Sequence, residues 1–323
     1  MTRKHLGCAL SCLFLVACSD EDEDVVSEPE ALSEENGVTN MELIARGQYL
    51  AQNVTGCSDC HTPRGPMGVL LMDQYLGGVD CWVRLDDGAC LPTRNLTNHE
   101  TGLMNRTDEE IKRMIRDGIR PAASGDEPLF PQMPYYTFHN LTERDLDSIV
   151  AYLRTVPGVD HAVPRRSPEF DPPQAATPLD LNAVPQPPEG SAERDAAVRG
   201  RYLAAEIGAC IICHSPRDLA SPTVLDYTTF FTGNEVFDVG LPVMSRAGNI
   251  TSDTETGIGD WALEDIVTVL KEGKDKSGNG ICPPMFGLFA GMTDQDAHDV
   301  AAYIQSLAPL PGLAEDQCVF PPM

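Results

Sequence analysis

The chain has 323 residues, of which 42% are hydrophobic, and it carries a formal net charge of −26 at pH 7. This length allows two ordinary domains, each with its own core. The charge argues against nucleic acid as a partner, because a phosphate backbone needs a cationic surface to release its counterions. It keeps an exported protein soluble, and it also suits docking onto the basic patches of partner proteins.

The first residues have the pattern of an export signal, which we place at residues 1–17. A short positive region is followed by an apolar run from Leu6 to Ala17 that is too short to span a bilayer as a permanent helix. The run ends in a sequence similar to a bacterial lipobox, so Cys18 is predicted to take a diacylglycerol and to anchor the protein at a membrane surface. The alternative is an ordinary cleaved signal in which Cys18 has no role. Residues 18–40 are acidic and poor in large apolar side chains, which predicts a disordered tether.

A sequence repeat divides the rest of the chain into two similar halves. The repeated segments are Arg46–Ala51 with Arg199–Ala204, Asn95–Thr97 with Asn249–Thr251, Thr101–Gly102 with Thr256–Gly257, and Ala151–Leu153 with Ala302–Ile304. We therefore predict two duplicated domains, at residues 41–156 and 192–312, followed by a tail at 313–323. The proline-crowded residues 157–191 between them are predicted to form an extended connector that runs across both halves.

The elements predicted within each half are helical. Helices over Met41–Val54 and Ala192–Ile207 lead into two C-x-x-C-H motifs. A middle helix begins at Thr107, where Glu110 completes a capping box. The last helices begin at Thr142 and Thr293, and their apolar residues recur at helical spacing. No comparable strand alternation is present, so the predicted fold class is all-α, with two tandem helical domains joined by the connector.

The C-x-x-C-H motifs carry the chemistry. They are Cys57-Ser58-Asp59-Cys60-His61 and Cys210-Ile211-Ile212-Cys213-His214. Two thiols at this spacing can each form a thioether to a heme vinyl group, and the following histidine can bind the iron. A redox dithiol or half of a zinc site would also use C-x-x-C, but neither half supplies a second such pair for zinc. The motifs therefore predict Cys57, Cys60, His61, Cys210, Cys213 and His214 as heme-binding residues.

The sixth iron ligands are predicted to be two methionines. Met133 lies 72 residues after its histidine (133 − 61) and Met285 lies 71 residues after its own (285 − 214), and each has prolines within two residues. A single methionine is more often core filler, but the matched positions favour iron ligands. Weaker candidates are Met104, Met244 and Met292 among the methionines, and His99 and His139 among the histidines.

Four of the eleven cysteines are left for disulfides. Cys8 and Cys12 belong to the signal, Cys18 is the lipid site, and four lie in the C-x-x-C-H motifs. Export implies an oxidising compartment, where these four remaining cysteines can form two disulfide bonds. Three pairings are possible, and the one that keeps each bond within one half joins Cys81 to Cys90 and Cys282 to Cys318.

The repeat and its motifs resemble the duplicated class I cytochrome c family, especially the cytochrome subunits that take electrons from membrane-bound bacterial dehydrogenases. The resemblance covers about residues 41–157 and 192–311. It implies two cytochrome c-like domains with two covalently attached heme c groups. It also implies that Gly47 with Tyr152, and Gly200 with Tyr303, pack the first helix against the last, and that Trp261 lies near the second heme. The first half has Arg106 at that position, and those dehydrogenase subunits often carry three hemes where this chain has two motifs.

The function predicted from these features is electron transfer. With Met133 and Met285 bound, each iron has six ligands and no open position, so the chain carries single electrons between redox proteins and is not an enzyme. The candidate partners are a dehydrogenase and a terminal oxidase, and the predicted location is periplasmic or at the cell surface, on a lipid anchor. The alternative is a two-heme cytochrome c peroxidase that reduces hydrogen peroxide at an open iron. A module in which heme is structural is the third possibility.

Overall fold

The computed structural model describes residues 39–65, 68–84, 88, 90–123, 125–164, 175–191, 193–208, 210–233, 236–241, 243–282, 285–312 and 318–319. The predicted signal, Cys18 and the tether up to residue 38 lie outside the described residues, as does most of the predicted tail. None of the helices in the described ranges has both the length and the apolarity that a bilayer crossing requires.

Helices form most of the regular structure. In the described part of the chain they are α1 (Asn40–Asn53), α2 (Cys57–His61), α3 (Asp108–Asp117), α4 (Tyr135–Phe138), α5 (Glu143–Thr155), α6 (Arg194–Arg201), α7 (Cys210–His214), α8 (Leu263–Glu272), α9 (Met285–Leu288) and α10 (Asp294–Ser306). A π-helical turn, Tyr202–Glu206, continues α6. The predicted helix over 192–207 therefore begins two residues later and changes helical type at its end.

Threonine side chains begin several of these helices. The Thr107 hydroxyl accepts from the Glu110 amide and the Glu110 carboxylate accepts from the Thr107 amide, so the predicted capping box is confirmed. Thr142 and Thr293 cap α5 and α10, and the hydroxyl of each accepts from the amide of an aspartate three residues on. The predicted starts of both last helices are therefore confirmed.

The first helix of each half packs across the last, with a glycine at the crossing. Helix α1 contacts α5, and α6 contacts α10. A Cβ atom on Gly47 would lie 1.8 Å from the Ser148 carbonyl oxygen, and one on Gly200 would lie 1.8 Å from that of Asp299. Only glycine allows the two backbones to approach this closely.

Short strands are a correction to the all-α expectation. The strands are β1 (Val79–Arg84), β2 (Cys90–Thr93), β3 (Ile119–Arg120), β4 (Glu127–Pro128), β5 (Val236–Leu241), β6 (Val243–Arg246) and β7 (Cys318–Val319). They form antiparallel sheets of two, two and three strands. Along β1 no residue is fully buried, so the strand has no strict apolar–polar alternation by which its sequence could be recognised.

The connector touches both halves. The Ala176 amide donates to the Tyr135 hydroxyl at 2.8 Å, and the Thr177 amide donates to the Pro222 carbonyl at 2.8 Å. Val184 is buried in the core. The described part of the connector, residues 157–164 and 175–191, therefore lies against the protein, as predicted for a segment that runs across both halves.

Candidate heme sites

The two C-x-x-C-H motifs form the short helices α2 and α7. Each helix is little more than one turn, so its two cysteines, three residues apart, lie on the same side of the helix and the histidine follows directly. Burial raises the pKa of the Cys60 and Cys210 thiols to about 12 and also raises that of Cys57. A redox dithiol needs the opposite, a lowered thiol pKa. The surroundings of these cysteines therefore argue against a redox dithiol.

Both motif histidines are buried, and each presents one ring nitrogen for binding. His61 is 8% exposed and His214 is 7% exposed. The Nδ1 atom of His61 lies 2.7 Å from the Arg94 carbonyl oxygen, and that of His214 lies 2.7 Å from the Gly248 carbonyl oxygen. A carbonyl can only accept, so Nδ1 carries the proton in both rings and Nε2 keeps its lone pair.

Burial also keeps these imidazoles neutral. It lowers the pKa of His61 to about 4, more than the bond to the Arg94 carbonyl raises it, and it lowers the pKa of His214 for the same reason. A neutral imidazole is the form that binds a metal. The carbonyl partners were not predicted from the sequence, because any residue type can supply a backbone oxygen.

The repeated Asn-x-Thr segments hold those carbonyls in place. The Asn95 amide group donates to the Val159 carbonyl at 2.8 Å and to the Thr101 hydroxyl at 3.1 Å, and its oxygen accepts from the Thr97 amide at 2.9 Å. The second half repeats the pattern with Asn249 and its partners Leu310 (2.8 Å), Thr256 (3.0 Å) and Thr251 (2.9 Å). Each asparagine directly follows the residue that accepts from the histidine, so it ties that residue to the chain beyond the last helix.

After each C-x-x-C-H motif, one residue has a positive φ and so adopts the left-handed backbone conformation. Leu76 has φ 57°, and its amide donates to the Thr62 hydroxyl at 3.0 Å. The Gly78 amide donates to the His61 carbonyl at 2.8 Å. The matching features of the second half are Phe231 with φ 62°, its amide bonded to Ser215 at 3.0 Å, and the Gly233 amide bonded to the His214 carbonyl at 2.7 Å. Such strain costs roughly 1–2 kcal/mol for a residue with a Cβ, and here the hydrogen bonds around the histidine support it.

A mostly apolar cavity opens beside His214. Cys210, Cys213, Trp261 and Leu270 line it. Trp261 therefore lines the same cavity as His214, and its place near a heme remains a prediction. Arg106, at the matching position of the first half, instead donates to the Pro121 carbonyl at 2.9 Å.

The two predicted methionine ligands precede short helices. Met133 is half-buried in the turn before α4, and the Tyr135 amide donates to its carbonyl at 2.8 Å. Met285 is the first residue of α9, and its side chain lies outside the described residues. The loops differ by one residue, because the buried Phe138 follows Met133 by five residues and the buried Phe289 follows Met285 by four. Iron ligation by either methionine remains a prediction.

The weaker ligand candidates have other surroundings. Met292 is buried in the core, and Met104 is 50% exposed. His99 lies 2.9 Å from the Thr101 hydroxyl, and His139 is at the surface, 3.6 Å from Asp117. The side chain of Met244 lies outside the described residues.

The remaining cysteines lie in or beside the strands. Cys81 and Cys90 form a disulfide within the β1–β2 hairpin. Cys282 is also disulfide-bonded. Cys318 lies on β7, opposite Ser245, and its side chain is outside the described residues, so the pairing of Cys282 with Cys318 remains a prediction.

Comparison with known proteins gives the family. The family model for cytochrome c matches residues 44–157. Residues 44–157 therefore form a domain of the cytochrome c family. The chain is 31% identical over 281 residues to the fructose dehydrogenase cytochrome subunit of Gluconobacter japonicus, covering 84% of this chain and 53% of that protein. It is 30% identical over 283 residues to the cytochrome c subunit of the quinone alcohol dehydrogenase of Gluconacetobacter polyoxogenes, covering 83% and 57%.

The chain covers a larger share of a third relative. The diheme cytochrome c-type protein of Cereibacter sphaeroides is 24% identical over 256 residues, covering 77% of this chain and 81% of that protein. The chain spans little more than half the length of the two dehydrogenase subunits. None of these three relatives is named as a peroxidase, so the peroxidase alternative gains no support.

Membership of this family implies covalently bound heme c, and the residues present fit that group. Each half supplies two buried or half-buried thiols on one short helix and a buried histidine whose Nδ1 proton is already donated. In the second half these groups border an apolar cavity, as a porphyrin face requires.

Proposed function

We propose that this chain carries two covalently attached heme c groups and passes single electrons between redox proteins at a bacterial membrane surface. The observation that carries the proposal is the matched pair of buried histidines, each following a C-x-x-C helix and each donating Nδ1–H to a carbonyl beside a repeated asparagine. A single site of this kind supports one heme. The duplication supports two tandem cytochrome c-like domains, at residues 41–156 and 192–312.

The side chains have distinct roles in this proposal. Cys57 and Cys60 in the first half, and Cys210 and Cys213 in the second, form the thioethers. His61 and His214 would each bind a heme iron, and Met133 and Met285 would supply the second protein ligand of each iron. Heme with histidine and methionine ligands takes up and releases single electrons at a raised reduction potential. The chain's own residues exclude water from the histidine side and fix the ring orientation through the Arg94 and Gly248 carbonyls.

The partner is proposed to be a dehydrogenase, with a terminal oxidase as a candidate acceptor. The names of the similar cytochrome subunits support the first, and the net charge of −26 suits basic docking patches. The lipid anchor at Cys18 is proposed to hold the protein at a periplasmic or cell-surface membrane. Electron transfer alone, without a reaction on a substrate, is the proposed activity.

Counting the hemes on matched variants tests the proposal. Intact mass is compared between protein made with and without the c-type maturation machinery. The wild type should gain two heme groups, and the Cys57→Ser/Cys60→Ser and Cys210→Ser/Cys213→Ser variants should each gain one. The control, Cys81→Ser/Cys90→Ser, should keep both, because these residues belong to neither attachment motif. A wild type that gains one heme or none would contradict the proposal.

A further inference from the structure

Two tyrosine hydroxyls cross between the halves at matched positions. Tyr49, near the end of α1, and Tyr202, directly after α6, occupy the same place in the sequence repeat. The Tyr49 hydroxyl donates to the Asp296 carboxylate on α10. The Tyr202 hydroxyl donates to the Asp145 carboxylate on α5 at 2.8 Å. Each bond joins the first helix of one half to the last helix of the other.

Each hydroxyl also accepts a hydrogen bond from the residue that caps the opposite helix. The Thr293 amide donates to the Tyr49 hydroxyl at 3.3 Å, and the Thr142 amide donates to the Tyr202 hydroxyl at 3.2 Å. Burial raises the pKa of both tyrosines to about 12, so each hydroxyl keeps the proton that it donates. One hydroxyl therefore bridges the threonine amide and the aspartate carboxylate.

The same chain shows what a helix start looks like without this bridge. At α3 the Thr107 amide donates directly to the Glu110 carboxylate at 2.9 Å, and α1 begins in the same way with Thr39 and Glu42 at 2.8 Å. Aspartate can accept in the same way, since at α8 the Ala262 amide donates directly to the Asp265 carboxylate at 2.8 Å. At α5 and α10 the third helical residue is also aspartate. There the tyrosine hydroxyl of the other half fills the gap between amide and carboxylate.

Two further contacts join the halves near the candidate heme sites. Helix α4, which follows Met133, contacts the π-helical turn that leads to Cys210. On the other side, a Cβ atom on Gly291 would come within 2.0 Å of the Asn53 Oδ1 atom, four residues before Cys57. In each contact, the segment after the predicted methionine ligand of one half touches the segment before the C-x-x-C-H motif of the other half.

We infer that each half completes the N-terminal cap of the other half's last helix, and that Tyr49 and Tyr202 are positioning residues that fix the separation of the two heme sites. Its consequence for electron transfer rests on the proposed function, since electron transfer between two sites depends on their separation. The capping itself rests only on the contacts of the tyrosines. Asp145 also accepts two bonds from Arg46, at 2.9 and 3.1 Å, so the Tyr49–Asp296 pair is the simpler one to perturb.

The experiment separates capping from positioning. The variants are Tyr49→Phe, Tyr49→Phe/Tyr202→Phe, and Tyr49→Phe/Asp296→Glu, in which the longer carboxylate can close the capping box within its own half. The first readout is hydrogen exchange at the Thr293 amide. Loss of the bridge should speed this exchange about tenfold or more, since it removes two hydrogen bonds, one of them to a charged group. The Asp296→Glu change should restore slow exchange, and the Thr107 amide should stay unchanged throughout.

The second readout is the distance between the halves, measured by pulsed electron paramagnetic resonance. Spin labels are attached through noncanonical amino acids at the exposed positions Met104 and Val198, so this readout does not need heme. The double Phe variant should broaden the narrow distance distribution of the wild type, and Tyr49→Phe/Asp296→Glu should stay broader than the wild type although its cap has closed. Tyr75→Phe, which removes a hydroxyl bonded within the first half, should leave the distribution narrow.

Two results would overturn the inference. Unchanged hydrogen exchange at the Thr293 amide in Tyr49→Phe would show that Tyr49 does not cap α10. An unchanged distance distribution in the double Phe variant would show that the two tyrosines do not fix the separation of the halves. Neither result bears on the number of hemes, which the intact mass reports separately. Failure of the proposed function and failure of this inference are therefore distinguishable.

Discussion

A single methyl group at the helix crossing should destabilise either half. In Gly47→Ala the new Cβ would lie 1.8 Å from the Ser148 carbonyl oxygen, whereas real Cβ atoms essentially never come closer than 3.0 Å. The helices must therefore separate by more than 1 Å (3.0 − 1.8). Alanine gains about 1 kcal/mol of helix propensity over glycine. Overpacking costs typically about 1–3 kcal/mol and sometimes more, and the clash here is with backbone, which cannot rotate away.

We expect a net loss of about 2 kcal/mol in the free energy of unfolding, which corresponds to a fall of about 10 °C in Tm for a domain of this size. Gly200→Ala should have the same effect on the second half, because its Cβ would meet the Asp299 carbonyl oxygen at 1.8 Å. Urea unfolding followed by circular dichroism measures both. Gly280→Ala is the matched control, since its Cβ would meet nothing within 4 Å, and it should stay within about 0.5 kcal/mol of wild type. If Gly47→Ala unfolds at the wild-type urea concentration, the close crossing is not what requires glycine there.

Three further outcomes are expected. Asn249→Ala should lose about 2–4 kcal/mol in urea unfolding, because the buried Asn249 side chain loses three hydrogen bonds, including the one to Leu310; a loss below 1 kcal/mol would contradict this. Met133→Ala should lower the potential of the first heme in a redox titration and let external ligands bind, while an unchanged spectrum would remove Met133 as a ligand. Cys18→Ser should leave the protein in the supernatant after membranes are sedimented, and a variant that still pellets would contradict lipid anchoring.

The features that the sequence predicted best are local. Thr107, Thr142 and Thr293 were predicted as helix starts because a cap is formed by residues only three positions apart. The glycines at the helix crossings came from the family resemblance, and the close approach of the helices explains them. The π-helical turn after Arg201 has no comparable local signal, so the predicted α-helix ran on to Ile207.

The features that could not be predicted depend on contacts distant in sequence. The Arg94 and Gly248 carbonyls orient the histidines through their backbones, which leave no mark on residue choice. The strands are short, and most residues of the first four strands are partly exposed. Tyr49 and Tyr202 were visible as part of the repeat, but their hydroxyls acquire partners only when the two halves come together.

The central claim is that the chain holds two hemes whose irons are closed to other ligands. Carbon monoxide titration of the reduced two-heme protein, with absorption spectra also taken in the ferric state, tests it most directly. The account predicts that neither heme binds carbon monoxide readily and that the ferric spectrum contains the long-wavelength band of methionine sulfur on iron. Immediate binding at one heme would mean that this iron has an open face, which would contradict the electron-carrier account.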